Sequence, residues 1–222
     1  MFSEDYLMRM INLAVAALVR AIGLRKDGDY EKANQSIDQA LEQLTGLSAD
    51  LLRQIDDQGV LNQLLTQGEL DRERAVLVAD LYSERGNIYA LQNQPDDACF
   101  CWHRALMISL EVTLSNPELT PADQKEKIDG LFSATKECQL PFDTRFNLYS
   151  YYDSIGRYAM AEYNLSRLLQ SSNFQVEMVE EYKDFCQRLS EKSDLDLEKG
   201  KLSSKQVAEM ARWIKKDQED FD

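Results

Sequence analysis

Apolar residues recur every three or four positions along almost the whole chain, and no long stretch alternates between apolar and polar side chains. This spacing predicts helices, whereas regular alternation would predict strands. Only 4 prolines and 9 glycines are present to interrupt the helices. The pattern therefore predicts an all-α protein.

The expected helices are separated by turn signals. Thr120 and Pro121 are such a signal, because Thr caps helices and Pro favours the first helical position, with Asp123 two residues further on. A helical patch that starts at Ser48 is expected to break near "DDQG". The other helices are expected at about 3–26, 30–44, 69–91, 95–114, 142–155, 158–170, 176–189 and 204–216.

One stretch, "LYSERGNIYALQNQPDDACFCWHRAL", resembles a tetratricopeptide repeat (TPR), a pair of helices in which large and small residues follow a fixed order. In such a pair Gly86 and Ala98 let two backbones approach each other, and large rings fill the space around them. The matching positions are Tyr82, Gly86, Tyr89, Ala98, Trp102 and Ala105.

Two other stretches, "GDYEKANQSIDQAL" and "YYDSIGRYAMAEYNLSRLL", match the repeat in part. The three matches are not adjacent, since extra helical sequence near 46–68 and 116–140 separates them. The resemblance implies a single TPR-like domain over 1–222, in which antiparallel helix pairs form a short irregular solenoid or bundle. The chain also resembles uncharacterised bacterial TPR-like proteins that open with a "YLMRMI"-type helix.

In TPR proteins the first helix of each pair lines a concave groove that binds peptides. Carried over by register, the resemblance implies a groove rich in carboxylates, so its ligand should be a basic or apolar segment. The alternative is that these side chains form only a solvated face. The implied lining is Asp80, Ser83, Glu84, Asn87, Asp143, Asn147, Ser150 and Asp153.

The first expected helix, 4–26, is apolar on nearly all sides and must be covered on nearly all sides. The favoured hypothesis is a central core helix covered by the chain's own insertions. The alternative is contact with a second copy or another protein. Only Arg9, Asn12 and Arg20 form a polar stripe, and the apolar residues are Leu7, Met10, Ile11, Leu13, Val15, Leu18, Val19, Ile22 and Leu24.

The formal net charge of -14 changes which partners are plausible. An acidic surface repels nucleic acids and anionic membranes, so neither is expected as a partner. The longest apolar run, 13–19, is far shorter than a membrane span, and the acidic start "MFSEDY" is unlike a signal peptide. We therefore expect a cytoplasmic protein.

The motif "CFCWH" contains the only histidine and two of the four cysteines. Cys99 and His103 share a helix face, but a structural zinc needs about four ligands, and Trp102 belongs to the repeat core. Buried packing is therefore favoured for the cysteines, with no metal, cofactor or disulfide framework expected.

These observations favour a non-catalytic scaffold or adaptor that works by protein–protein interaction. Two alternatives stay open. One is a small-molecule or metal-dependent enzyme that uses the His103 region. The other is a purely structural subunit that self-associates through the 4–26 helix.

Overall fold

The computed structural model describes the backbone of residues 2–117 and 123–219, and the side chains of 8–117 and 123–214. Within these ranges almost all regular structure is helical, which confirms the all-α prediction. The contacts divide the chain into two compact units, 1–140 and 141–222. Each unit is described separately, and the single-domain organisation stays a prediction. The start signal at Thr120 and Pro121 lies outside the described residues.

Unit one contains seven helices and a short antiparallel hairpin in its described part. The helices are α1 Phe2–Lys26, α2 Tyr30–Thr45, α3 Ala49–Gln54, α4 Asp57–Gln63, α5 Arg72–Leu91, α6 Pro95–Ser115 and α7 Gln124–Ala134. The hairpin pairs β1 Leu65–Thr66 with β2 Glu69–Leu70. The hairpin was not predicted from the sequence, and it delays the start of α5, which was expected at residue 69.

Local sequence explains the helix ends in unit one. The Asp29 side chain accepts a hydrogen bond from the Lys32 amide at the start of α2, and Asp71 caps α5 through the Arg74 amide. Gly46 ends α2 with a φ of 74°, a left-handed conformation in which glycine lacks the steric cost of other residues. Pro95 occupies the first position of α6, where its missing amide hydrogen costs nothing.

The α5–α6 pair is the central contact of unit one. A Cβ atom added at Gly86 would come within 2.4 Å of the Trp102 ring, so the indole packs directly on the glycine backbone. The sequence predicted that Gly86 would face Ala98, but the atoms nearest to Gly86 belong to Trp102. Ala98 is buried on α6, the helix that also carries Trp102.

Two arginines fasten the 46–68 insertion to this pair. Arg104 of α6 is buried and donates hydrogen bonds to the backbone carbonyls of Leu52 and Ile55, which lie at the end of α3. Arg74 of α5 donates to the carbonyls of Leu44 at 3.1 Å and Gln63 at 2.8 Å. These bonds satisfy carbonyl groups that have no partner in their own helices.

Unit two is also helical throughout its described part. Its helices are α8 Phe142–Ser154, α9 Tyr158–Ser171, α10 Val176–Ser190, α11 Asp194–Lys199 and α12 Ser204–Glu219. Helix α8 packs against α9, and α10 packs against α9 and α12. The short helix α11 was not predicted. A Cβ at Gly200, directly after α11, would meet the Tyr158 ring at 2.3 Å, so this turn lies against the start of α9.

The first prediction concerns Gly86. Gly86→Ala should lower the free energy of unfolding by about 1–3 kcal/mol, because the new methyl group overlaps the Trp102 ring and overpacks the α5–α6 contact. Denaturant unfolding followed by circular dichroism measures this change.

The matched control is Gly130→Ala in α7. No atom lies within 4 Å of the Cβ position at Gly130, so this variant should be neutral or stabilising by up to about 1 kcal/mol. Equal effects of the two substitutions would contradict the Gly86–Trp102 contact.

Candidate functional site

The outer face of α1 exposes an unusual amount of apolar surface. Met8 is 53% exposed, Leu13 50%, Val15 42% and Val19 64%. Only a narrow stripe of α1, centred on Ala14 and Ala21, is fully buried among its described residues. Helix α1 packs mainly against α2 and α5. The hypothesis of a central core helix is therefore wrong, because no insertion in the described part of the chain covers the exposed side of α1.

Three of these apolar positions border a groove. Met8, Ile11 and Val15 line one side of a groove of about 600 Å³, and residues of α5 and α6 form the other side. Met8, Ile11 and Val15 are separated by three and four residues, which places them on one face of the helix. The α5 and α6 side chains in the groove are Arg72, Glu73, Val76, Leu77 and Val112.

The charges next to this apolar face are positive. Arg9 and Arg20 are exposed on α1, and neither makes an ion pair with any of the described residues. The chain has no Asp or Glu between Tyr6 and Lys26, although its net charge is -14. We call the exposed apolar residues Met8, Val15 and Val19 with Arg9 and Arg20 the α1 outer face. It is the basic, apolar part of an acidic protein.

On α5, the two carboxylates of the predicted acidic groove pair with bases of the chain itself. Asp80 accepts a hydrogen bond from the Lys127 ammonium of α7 at 2.9 Å, and burial raises the pKa of Asp80 while Lys127 opposes that shift. Glu84 is buried and pairs with Arg25 of α1 at 2.5 Å. Both carboxylates therefore hold neighbouring helices of unit one.

The polar residues of that α5 set are also engaged or partly covered. The Asn87 side chain accepts a hydrogen bond from the Trp102 indole at 3.2 Å, and Ser83 is half-buried. These contacts leave fewer polar groups of α5 available to the peptide that the groove hypothesis requires.

The second predicted set lies on α8 in unit two. Asp143 is exposed, and Asn147 and Ser150 are half-buried. Asp153 pairs with Arg188 of α10 at 3.1 Å. The α5 and α8 sets thus belong to different units, and each has at least one carboxylate occupied by a base of the chain itself.

The repeat-packing residues behave as a core. Tyr82, Ala98 and Ala105 are buried, and Trp102 is half-buried against Gly86. Tyr89 is half-buried, and the Arg53 guanidinium lies 5.7 Å from the centroid of its ring. These contacts place the predicted residues at the α5–α6 junction or beside it.

One cysteine of the "CFCWH" motif forms a disulfide bond. Cys99 of α6 is bonded to Cys138, which follows α7. The expectation that the cysteines only fill helix contacts is wrong for this pair, and nothing in their 39-residue separation indicated it. Cys101 is a free, buried thiol, and burial raises its pKa to about 12.

His103 lies beside a carboxylate of the first insertion. Its Nε2 atom is 3.5 Å from Asp57 Oδ2, and Arg104 also approaches Asp57. Burial lowers the pKa of His103, while the Asp57 charge opposes that shift. Among the described residues, no three His, Cys, Asp or Glu side chains are grouped as metal ligands would be. The contacts of Asp57 with His103 and Arg104 hold α4 against α6.

The fold and this surface define an all-α protein built from packed helix pairs, with an exposed basic and apolar helix face. The chain belongs to a family of unknown function, DUF6483, which it matches over residues 1–219. No curated protein and no solved structure matches the chain. Within the part that the structure describes, no helix is both long and apolar enough to cross a membrane.

The second prediction concerns the disulfide. Dithiothreitol should lower the free energy of unfolding by about 3–4 kcal/mol, because reduction restores the freedom of the loop between Cys99 and Cys138 in the unfolded chain. Urea unfolding with and without the reductant measures the change. The Cys99→Ala, Cys138→Ala double variant should not respond to the reductant, and an equal response in both proteins would contradict this account.

The third prediction concerns pH. The pKa of His103 is lower in the folded protein than its ordinary value of 6.5, which applies in the unfolded chain. As the pH falls through that value, protonation therefore favours the unfolded chain and lowers stability. His103→Gln should lose less stability than the parent between about pH 7 and 5. Identical changes in the urea midpoint of both proteins would contradict the lowered pKa.

Proposed function

We propose that this chain is a non-catalytic interaction module that binds a partner protein through the α1 outer face. The observation that carries the proposal is the exposure of Met8, Val15 and Val19 along one helix. Contiguous apolar surface beside polar residues is typical of protein interaction sites in soluble proteins. The adjoining groove of about 600 Å³ adds a concave surface in which side chains of a partner fit.

The partner that suits this surface is an amphipathic helix with an apolar face and acidic flanks. Its apolar side chains would pack on Met8, Val15 and Val19, and its carboxylates would lie near Arg9 and Arg20. A second copy fits less well, because a symmetric α1–α1 contact brings two basic faces together. The sequence hypothesis expected a basic or apolar partner segment. The present proposal keeps the apolar contact and replaces the basic charge of the partner with acidic charge.

A TPR-type architecture is part of this proposal. It is supported by the short connections within the pairs α1–α2, α5–α6 and α8–α9, which coincide with the three matching stretches of sequence. It is also supported by the packing of Trp102 on Gly86, since both residues occupy signature positions. The sequence similarity alone does not assign a ligand to such pairs.

A cytoplasmic location also stays a proposal. The Cys99–Cys138 bond argues against that location, because disulfides persist mainly in oxidising compartments and cytosolic thiols are usually reduced. The enzymatic alternative has less support than binding, since His103 lies against Asp57 and Arg104, which fix its ring between α4 and α6.

The fourth prediction tests the α1 outer face with a synthetic helix. A labelled amphipathic peptide of about 20 residues, with Leu on one face and Glu on the flanks, should bind the protein in fluorescence anisotropy. A matched peptide with Lys in place of Glu should bind at least about tenfold more weakly, and added salt should reduce this difference.

Variants locate the contact. Val19→Asp combined with Arg20→Glu should weaken binding of the acidic peptide, while Ser133→Asp on the exposed surface of α7 should not. Equal binding of the two peptides would contradict the proposed partner. Concentration-dependent dimerisation that Val19→Asp abolishes would replace the acidic helix with a second copy as the occupant.

A further inference from the structure

Unit two has an open depression lined by acidic and aromatic side chains. A cavity of about 380 Å³ opens where α9, α10 and α12 meet. Its lining includes two carboxylates, Glu162 and Glu209, and two aromatic side chains, Tyr182 and Trp213. No Lys or Arg side chain of the described chain lines this cavity. It therefore combines negative charge with aromatic surface.

The indole of Trp213 is held in place but not covered. Its ring centroid lies 5.6 Å from that of Tyr182 at an interplanar angle of 70°, and 6.0 Å from that of Phe174 at 60°. Such tilted contacts are favourable aromatic geometries and restrict the ring. The Trp213 residue nevertheless remains 38% exposed. An indole that lines a cavity in this way can attract a cation through its π electrons.

Glu162 places a negative charge in direct contact with this aromatic cluster. Its carboxylate accepts a hydrogen bond from the Tyr182 hydroxyl at 3.0 Å and is half-buried. Among the described residues it forms no ion pair with a base. Glu209 is different, because it is exposed and lies 3.8 Å from Lys205, a contact too open to neutralise it strongly.

The hydrogen bond from Tyr182 fixes the direction of the Glu162 carboxylate. Burial raises the pKa of the Tyr182 hydroxyl, and the Glu162 charge raises it further. The hydroxyl therefore stays protonated near neutral pH and continues to donate to Glu162. The carboxylate is thereby held in a fixed direction beside the cavity.

We propose that this cavity binds an organic monocation whose ammonium group lies between Glu162 and the Trp213 ring. A carboxylate together with an aromatic face is the combination that stabilises alkylated ammonium groups in proteins. The apolar substituents of such a cation contact the rings, and its charge compensates the unpaired carboxylate. The net charge of -14 raises the local concentration of cations of any kind. The site is independent of the α1 outer face.

The same chemistry has two sources, a free quaternary ammonium compound or a methylated lysine side chain of a peptide. Choline is the probe for the first source, and a capped tripeptide with a central trimethyl-lysine is the probe for the second. A peptide that binds more tightly than choline assigns the site to a protein ligand, and the reverse order assigns it to a small molecule. Either order supports a monocation site.

The test is a titration of the intact chain at constant ionic strength, followed by tryptophan fluorescence. Choline should change the fluorescence with saturation. Dimethylbutanol has the shape of choline without its charge and should bind at least about tenfold more weakly, because neither the carboxylate nor the indole attracts a neutral molecule in this way. Trp213→Leu should weaken choline binding at least about tenfold in isothermal titration calorimetry, which does not depend on the fluorescence of Trp213.

A pair of charge-matched variants separates this site from general electrostatics. Glu162→Gln should weaken choline binding at least about fivefold. Glu177→Gln, which removes the same charge from an exposed position of α10 outside the cavity, should leave it within about twofold. Circular dichroism verifies that both variants are folded. Equal affinity for choline and dimethylbutanol, or equal effects of the two Glu variants, would overturn the proposal.

Discussion

The contact between Gly86 of α5 and Trp102 of α6 sets the arrangement of unit one. Because the indole lies directly on a residue without a side chain, the two helices approach closely. Helix α5 is then surrounded by partners, with α1, α2 and α6 packed against it. Its polar side chains consequently meet bases of neighbouring helices, Asp80 with Lys127 and Glu84 with Arg25.

The packing of α5 also connects the predicted acidic groove with the α1 outer face. The carboxylate that the sequence assigned to a peptide groove, Glu84, instead binds Arg25 and fastens α1 onto α5. Helix α1 is buried only along one stripe, and Met8, Val15 and Val19 stay at the surface. The loss of free acidic charge on α5 and the exposure of the α1 outer face therefore have the same structural origin.

Periodicity alone predicted the helical class and most long helices, since these depend on local spacing of apolar residues. It missed the 65–70 hairpin, the short helix α11 and the Cys99–Cys138 bond. Each of these depends on contacts between distant residues or on turn geometry, such as the positive φ of Gln67 and Gly68. The composition of α1 indicated that it needs extensive cover, but not that the described part of the chain leaves Met8, Leu13, Val15 and Val19 exposed. The cavity beside Trp213 depends on three helices meeting, which no single stretch of sequence reveals.

The most direct test of the central claim is chemical protection of the α1 outer face. Val19→Cys would be labelled with a maleimide in dilute protein without reductant, where Cys101 and Cys186 are buried thiols. The account predicts rapid labelling that slows when the Glu-flanked peptide is added and is unchanged by its Lys-flanked counterpart. Ser133→Cys on α7 should label at the same rate throughout. Labelling of Val19→Cys that neither peptide affects, at concentrations that saturate binding, would contradict the account.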